Sequence, residues 1–214
     1  MDNHDGLFQG GIEMKIVFAV LLIFLLAGSA GAVVDPDPNS LGVYFDLDAD
    51  VNYLDVAPDT EFWAYVTLTN PTWDHVMAFE FGFELVVPAG MEGMIFRLAD
   101  TLPPTSVSCD PGPGVLQGHY INGMGLPYPT NEATVLVKWC FLTIAPMTIE
   151  FLLGPSSLPS LPDGLPVIMN DDHVLMSVGV SSGDVNLSVA EVNTGHQPVA
   201  AESVTWGQVK SLYR

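Results

Sequence analysis

The stretch HVMAFEFGFELVV, His75 to Val87, decides the fold. Met77, Phe79, Phe81, Phe83, Leu85 and Val87 fall on one side of an extended chain, and Ala78, Glu80, Gly82 and Glu84 fall on the other. That alternation has a period of two, which only a β-strand converts into one apolar and one polar face. Pro88-Ala89-Gly90 closes the run with turn residues.

Upstream, Glu61 to Asn70 alternates Phe62, Ala64, Val66 and Leu68 against Trp63, Tyr65, Thr67 and Thr69. Both faces are bulky, so the reading is a strand covered on both sides, ended by the turn Asn70-Pro71-Thr72. Phe45 to Tyr53 also alternates, but its polar face is Asp46, Asp48, Asp50 and Asn52, residues that strands disfavour, so its middle reads as loop. Downstream, Gly93–Ala99, Gly114–Ile121, Ala133–Ile144, Met147–Leu153, Pro166–Met169, His173–Val180 and Val185–Val192 read as further strands. Thr101 to Pro129 reads as a loop-rich excursion, and residues 154–166, with four prolines, as a stiff connector. With 17 Pro, 20 Gly and no amphipathic helix before the end, the expected fold is all-β: a two-layer antiparallel β-sandwich.

The two ends read differently. Lys15, the apolar run Ile16 to Ala27 and the small residues Ala30-Gly31-Ala32 have the order of a secretory signal peptide. The run is shorter than the roughly 20 apolar residues a bilayer span requires. The acidic stretch Met1 to Glu13 is foreign to such a signal, which points to translation starting at Met14. The expected organisation is therefore an N-terminal extension and cleaved signal helix over 1–32, a β-sandwich over 33–193, and a linker and tail over 194–214. Ser203 to Arg214 is predicted as a short helix, with Trp206, Val209, Leu212 and Tyr213 on one stripe. Lys210 and Arg214 sit in its last turn, where cations suit the helix dipole. The tail must dock on its own domain or serve as a C-terminal address read by assembly machinery.

Charge narrows the partners. The chain carries a formal charge of −20, and beyond residue 32 its basic residues are Arg97, Lys138, Lys210 and Arg214. Nucleic acids and anionic lipids both need a basic footprint, so neither is expected to bind. No stable transmembrane span is expected after signal cleavage, and the destination is secreted, extracellular or cell-envelope. Cys109 and Cys140, an even count in an exported chain, are expected to form a disulfide. In the chain-entropy picture, closing a loop of about 30 residues adds roughly 3 kcal/mol.

Candidate chemistry is sparse. Asp46-Leu47-Asp48-Ala49-Asp50 resembles a calcium-chelating run, although Val51 and Ala57 replace the Gly and Glu of an EF-hand loop. Calcium held by Asp46, Asp48 and Asp50 is thus a candidate, against an acidic strand edge that discourages pairing. Asp74-His75 and Asp171-Asp172-His173 read as polar turns. Asn186-Leu187-Ser188 fits a glycosylation acceptor. Trp63, Trp73, Tyr120 and Tyr128 are candidates for an aromatic platform that packs on sugar rings. Gly179-Val180-Ser181-Ser182-Gly183, followed by Asp184 and His196, matches the letters of a hydrolase nucleophile elbow. That elbow turns from strand into helix, whereas a Gly/Ser hairpin between two strands accounts for the same residues.

Gly42 to Gly90, a strand and an Asp-rich bend followed by APDTEFWAYVTLTNPT (57–72) and AFEFGFELVVPAG (78–90), resembles the first half of a cohesin-like or immunoglobulin-like extracellular bacterial domain. The closing TWGQVKSLYR (205–214) is similar to tails of exported proteins of environmental bacteria. The resemblance implies a noncatalytic binding or assembly module and transfers no functional residue. Cohesin proper binds dockerin modules, and no dockerin-type repeat occurs here. The expected function is a noncatalytic exported sandwich for surface adhesion, assembly or an appendage or structural role, with a protein partner or self-assembly at the cell surface. A carbohydrate-binding module is the alternative, and a serine esterase using Ser181 a third reading.

Overall fold

A computed structural model describes residues 35–109 and 113–195. The predicted signal segment and the predicted C-terminal helix lie outside these residues. The first strands are β1 (Ser40–Tyr44), β2 (Tyr53–Leu54), β3 (Thr60–Thr69), β4 (His75–Val86) and β5 (Ile95–Thr101). Then come β6 (Ser106–Ser108), β7 (Gln117–Pro129), β8 (Ala133–Thr143) and β9 (Ile149–Gly154). The series closes with β10 (Val167–Asn170), β11 (Leu175–Ser177), β12 (Gly179–Val180) and β13 (Ala190–Val192).

Two sheets face each other. Sheet A runs β12-β1-β3-β8-β5, and sheet B contains β11, β10, β4, β9, β13 and β2, with β7 and β6 joined to β4. The two-layer sandwich expected from the period-two pattern is present. The pairs within it are antiparallel except β1 with β12 and β13 with β2.

β4 is the spine of sheet B. Phe79, Phe81, Phe83 and Leu85 are buried, as their spacing requires. They meet Phe62, Ala64, Val66, Trp139 and Phe141 of sheet A across the interior. Ring contacts such as Phe83–Trp139 (5.0 Å between centroids) and Phe141–Phe151 (5.9 Å) fill the space between the sheets. Fully burying each such side chain contributes roughly 1.5–3 kcal/mol.

One edge of β4 pairs with β7. The other edge is shared: Gly82 to Val86 pair with β9, and Val76 to Glu80 pair with β10. Strands β9 and β10 therefore form one line of chain from which residues 155–166 depart and return. The departure explains Gly82. A Cβ there would lie 2.3 Å from the Pro155 carbonyl oxygen, so only glycine admits the crossing chain. The connector is pinned by Glu80, a buried carboxylate that accepts from the Ser160 backbone N–H (2.6 Å) and hydroxyl (2.8 Å).

Two expectations need correction, the loop-rich excursion and the disulfide. The Thr101–Pro129 region is mostly strand, because β7 finds its partner along β4 and β6 in turn pairs with β7. The Asp-rich middle of Phe45 to Tyr53 is a bend, as its strand-disfavouring residues suggest: β1 ends at Tyr44, and the Asp46 carboxylate accepts from the backbone N–H groups of Asp50 (3.1 Å) and Val51 (3.0 Å). The disulfide is absent, and both thiols are free. Cys109 follows β6 in sheet B, bonded through its backbone to Ile121, whereas Cys140 lies on β8 in sheet A beside Trp63 and Ala99. The two residues belong to different layers, which an even cysteine count does not reveal.

Candidate functional site

The outer face of sheet A is built by three neighbouring strands in register. Glu61 on β3 lies opposite Leu142 on β8, which lies opposite Phe96 on β5. One step along, Trp63 pairs with Cys140, which pairs with Ala99, and Leu98 bulges beside them. At the end of the face, the Ile144 N–H bonds the Met94 carbonyl oxygen at 3.0 Å. Trp63, Met94, Phe96, Leu98 and Ile144 are between 37% and 50% exposed, and they follow one another across the strands. Isolated exposed apolar residues are ordinary, whereas a neighbouring set on one face is a candidate interaction surface. Cys140 is buried in the floor of this face. Burial first, then the nearby Glu61 carboxylate, pushes its thiol up, so it stays protonated and serves as packing.

On β5, Ile95 and Arg97 take the interior, and Phe96 and Leu98 face outward. The Arg97 side chain is only 8% exposed. The guanidinium lies 5.5 Å from the centre of the Phe83 ring and donates to the Pro113 carbonyl oxygen at 2.6 Å. It stands 3.9 Å from Asp100 and 3.5 Å from the Tyr120 hydroxyl. Tyr120 in turn donates to Asp100 and accepts from the indole N–H of Trp139 at 2.7 Å. Burial, followed by the bond to Asp100, pushes the Tyr120 hydroxyl far above the ordinary tyrosine range. This chain of partners satisfies a charge that would otherwise be costly inside a sandwich. A charged residue turned inward on an edge strand also discourages a second chain from pairing there.

The structure separates the aromatic residues expected to form a sugar platform. Trp63 is on the sheet A face, whereas Tyr120 is buried between the sheets. Trp73, before β4, and Tyr128, in β7, are half-buried against the core. A flat platform needs coplanar exposed rings, and these four do not supply one. The sequence pattern singles out none of Met94, Phe96, Leu98 and Ile144. For the first three the signal lay in MIFRLAD (94–100), where an arginine interrupts an apolar run; Ile144 follows β8 and carries no such signal.

The acidic run is equally specific in its placement. Asp46 is committed to the bend described above, while Asp48 is exposed. Among the described residues, no group of three or more His, Cys, Asp or Glu is arranged to hold a metal ion. His75 Nδ1 lies 3.2 Å from Asp171, an exposed pair, and His173 Nδ1 lies 3.1 Å from the Asp171 carbonyl oxygen within its own turn. Ser181 is buried in the turn after β12, with no helix following it, so the strand-to-helix elbow is not formed. His196 and the tail residues Trp206, Val209, Lys210, Leu212, Tyr213 and Arg214 lie outside the described residues.

Comparison with known proteins gives likeness of fold. The chain is similar to cohesin modules. The sixth cohesin of scaffoldin B from Acetivibrio cellulolyticus, solved in complex with a Cel5 dockerin mutant, is 8% identical, with a TM-score of 0.49 over 73% of this chain and 99% of that one. A type I cohesin of Clostridium thermocellum, in the Coh-OlpA–Doc918 complex, is 7% identical, with a TM-score of 0.47 over 73% and 96%. A type II cohesin domain from the A. cellulolyticus cellulosome is 12% identical, with a TM-score of 0.44 over 74% and 96%. No protein-family model matches the chain. No curated protein matches it either.

Proposed function

We propose that this chain is an exported, noncatalytic β-sandwich module that docks a protein partner on the outer face of sheet A. The observation that carries the reading is the exposed set Trp63 on β3, Phe96 and Leu98 on β5, and Met94 and Ile144 at the ends of the flanking turns before β5 and after β8. The partner it suits has an apolar centre, to cover these side chains, and a basic rim, to match a chain of net charge −20. The signal-like segment before residue 33 supports a site of action outside the cell or in its envelope. The tail Ser203–Arg214 serves as the address that brings the module to its assembly.

The test is assembly in the native host. The tagged protein should run in a large complex at the cell surface. The pair Trp63→Ala and Leu98→Asp should release it as monomer without lowering its melting temperature. Deleting residues 203–214 should leave a folded domain that fails to localise. Unchanged assembly of the Trp63/Leu98 variant would refute the docking face, and unchanged localisation of the truncated chain would refute the address.

A further inference from the structure

A second surface lies on the opposite side of the sandwich. Where the connector leaves β9, the outer face of sheet B forms a groove of about 530 Å³, within the ~300–1,000 Å³ of small-ligand clefts. Its floor carries no side chain at Gly82 of β4, which the Pro155 carbonyl covers, or at its in-register partner Gly154 of β9, which Pro155 does not cover. Pro155 and Ser157 form one bank, and Val185 and Asn186 form the other.

The two glycines have different reasons to be there. Gly82 is required by the Pro155 carbonyl. Gly154 is not required by packing: the nearest atom to a Cβ placed there is Val185 Cβ at 3.8 Å, an ordinary contact. Gly154 ends β9, and the missing side chain leaves room above the sheet for a ligand to approach the backbone.

The walls specify the chemistry. Glu84 offers only acceptors, whereas the Gln117 carboxamide offers both donors and acceptors. Asn186 donates through its side-chain and backbone N–H groups to Asp184 (2.8 and 2.9 Å), which holds its carboxamide in place. The Ser157 hydroxyl lies 3.2 Å from His119 Nδ1 at the groove edge. An anion would meet Glu84 on a strongly acidic chain, and a simple cation would leave the donors unused. Groups that both donate and accept, namely hydroxyls, fit the mixture. Leu152 and Val185 add apolar surface for the C–H faces of a ring.

We propose that this groove binds a short neutral oligosaccharide, entering over Gly154 between the connector and the 184–188 turn. The site is independent of the sheet A face and does not use the aromatic residues of the sequence-based platform.

The experiment is an NMR titration of the isotope-labelled protein with soluble cello-, xylo-, manno- and chito-oligosaccharides at millimolar concentration. At least one should shift the amide signals of Gly154, His119 and Asn186. Gly154→Leu, which fills the floor, should weaken binding about tenfold or more, corresponding to ~1.4 kcal/mol. Glu84→Ala, an exposed change, provides a second reading should the leucine disturb the strand. Trp63→Ala should bind as wild type, so loss of the protein-docking reading leaves this one standing. The proposal is overturned if no oligosaccharide shifts the groove signals, if shifts map to the Trp63 face instead, or if Glu84→Ala and a folded Gly154→Leu both bind normally.

Discussion

Replacing Tyr120 with phenylalanine tests the physical account of the sandwich interior most directly. The ring would keep its packing on Phe81 (5.1 Å) and Phe83 (5.8 Å), so the change isolates the hydroxyl. That hydroxyl is the acceptor for the Trp139 indole N–H, on a residue with no exposed surface. Stranding a buried donor costs about 1–3 kcal/mol. The bond from Tyr120 to Asp100 is charge-assisted, but the Asp100 side chain is 29% exposed and keeps Arg97 nearby, so water recovers much of it. Its loss adds only about 1 kcal/mol. The expected total is ~3 kcal/mol, a fall in melting temperature of about 6–12 °C for a domain of this size. Thermal and urea unfolding of wild type, Tyr120→Phe, Trp139→Phe and the double variant would measure it. The cycle should return a coupling of about 1–2 kcal/mol between the two residues. A Tyr120→Phe protein melting within about 2 °C of wild type would refute the claim that the hydroxyl satisfies the buried indole.

Alkaline pH should destabilise the fold. Tyr44 and Tyr120 are both pushed by burial well above the ordinary value of 10.0. Above that pH the unfolded chain releases protons that the folded chain retains, so stability, complete below it, falls by ~1.4 kcal/mol per pH unit for each tyrosine. Equilibrium unfolding between pH 9 and 12 should show the slope, reduced by Tyr120→Phe; a flat profile counts against it. Asp46→Ala should cost about 1–2 kcal/mol by freeing the N–H groups of Asp50 and Val51, while Asp48→Ala should be neutral. A rise in melting temperature with added calcium that is lost in both variants would instead restore the metal reading. Thiol titration should find Cys109 reactive in the folded protein and Cys140 only after denaturation, because one is exposed and the other buried. Finding no titratable thiol in denaturant would re-establish the bridge.

Legibility in the sequence follows the range of the interactions involved. β3, β4 and β8 are readable because each carries enough alternating residues for local periodicity to specify its buried face. β6 and most of β7 are not, since Gln117 to Pro129 carries Gly, His, Asn and Pro and is extended mainly because β4 offers a hydrogen-bonding edge. The outer face of sheet A was only partly legible. Trp63 stood out as a bulky residue opposite the apolar face of β3, but Phe96 and Leu98 read only as part of a strand over Gly93–Ala99. By the period-two rule an arginine between them belongs outside, and only Pro113, Phe83, Tyr120 and Asp100, gathered from distant parts of the chain, turn it inward. The groove over Gly154 was invisible, because its banks lie more than thirty residues apart in sequence from part of its floor.

The amino-acid order by itself determined the class of structure: alternating side chains with frequent turn residues can bury their apolar half only by stacking pleated layers. It also determined the acidic character that any partner must accommodate. Tertiary structure alone decided which layer each strand joined, and so kept Cys109 away from Cys140, drew Tyr120 inside and left Trp63 beside Phe96. Those outcomes depend on pairing between segments far apart along the chain, and a local pattern carries no record of which neighbour will supply the other half of a hydrogen-bond ladder.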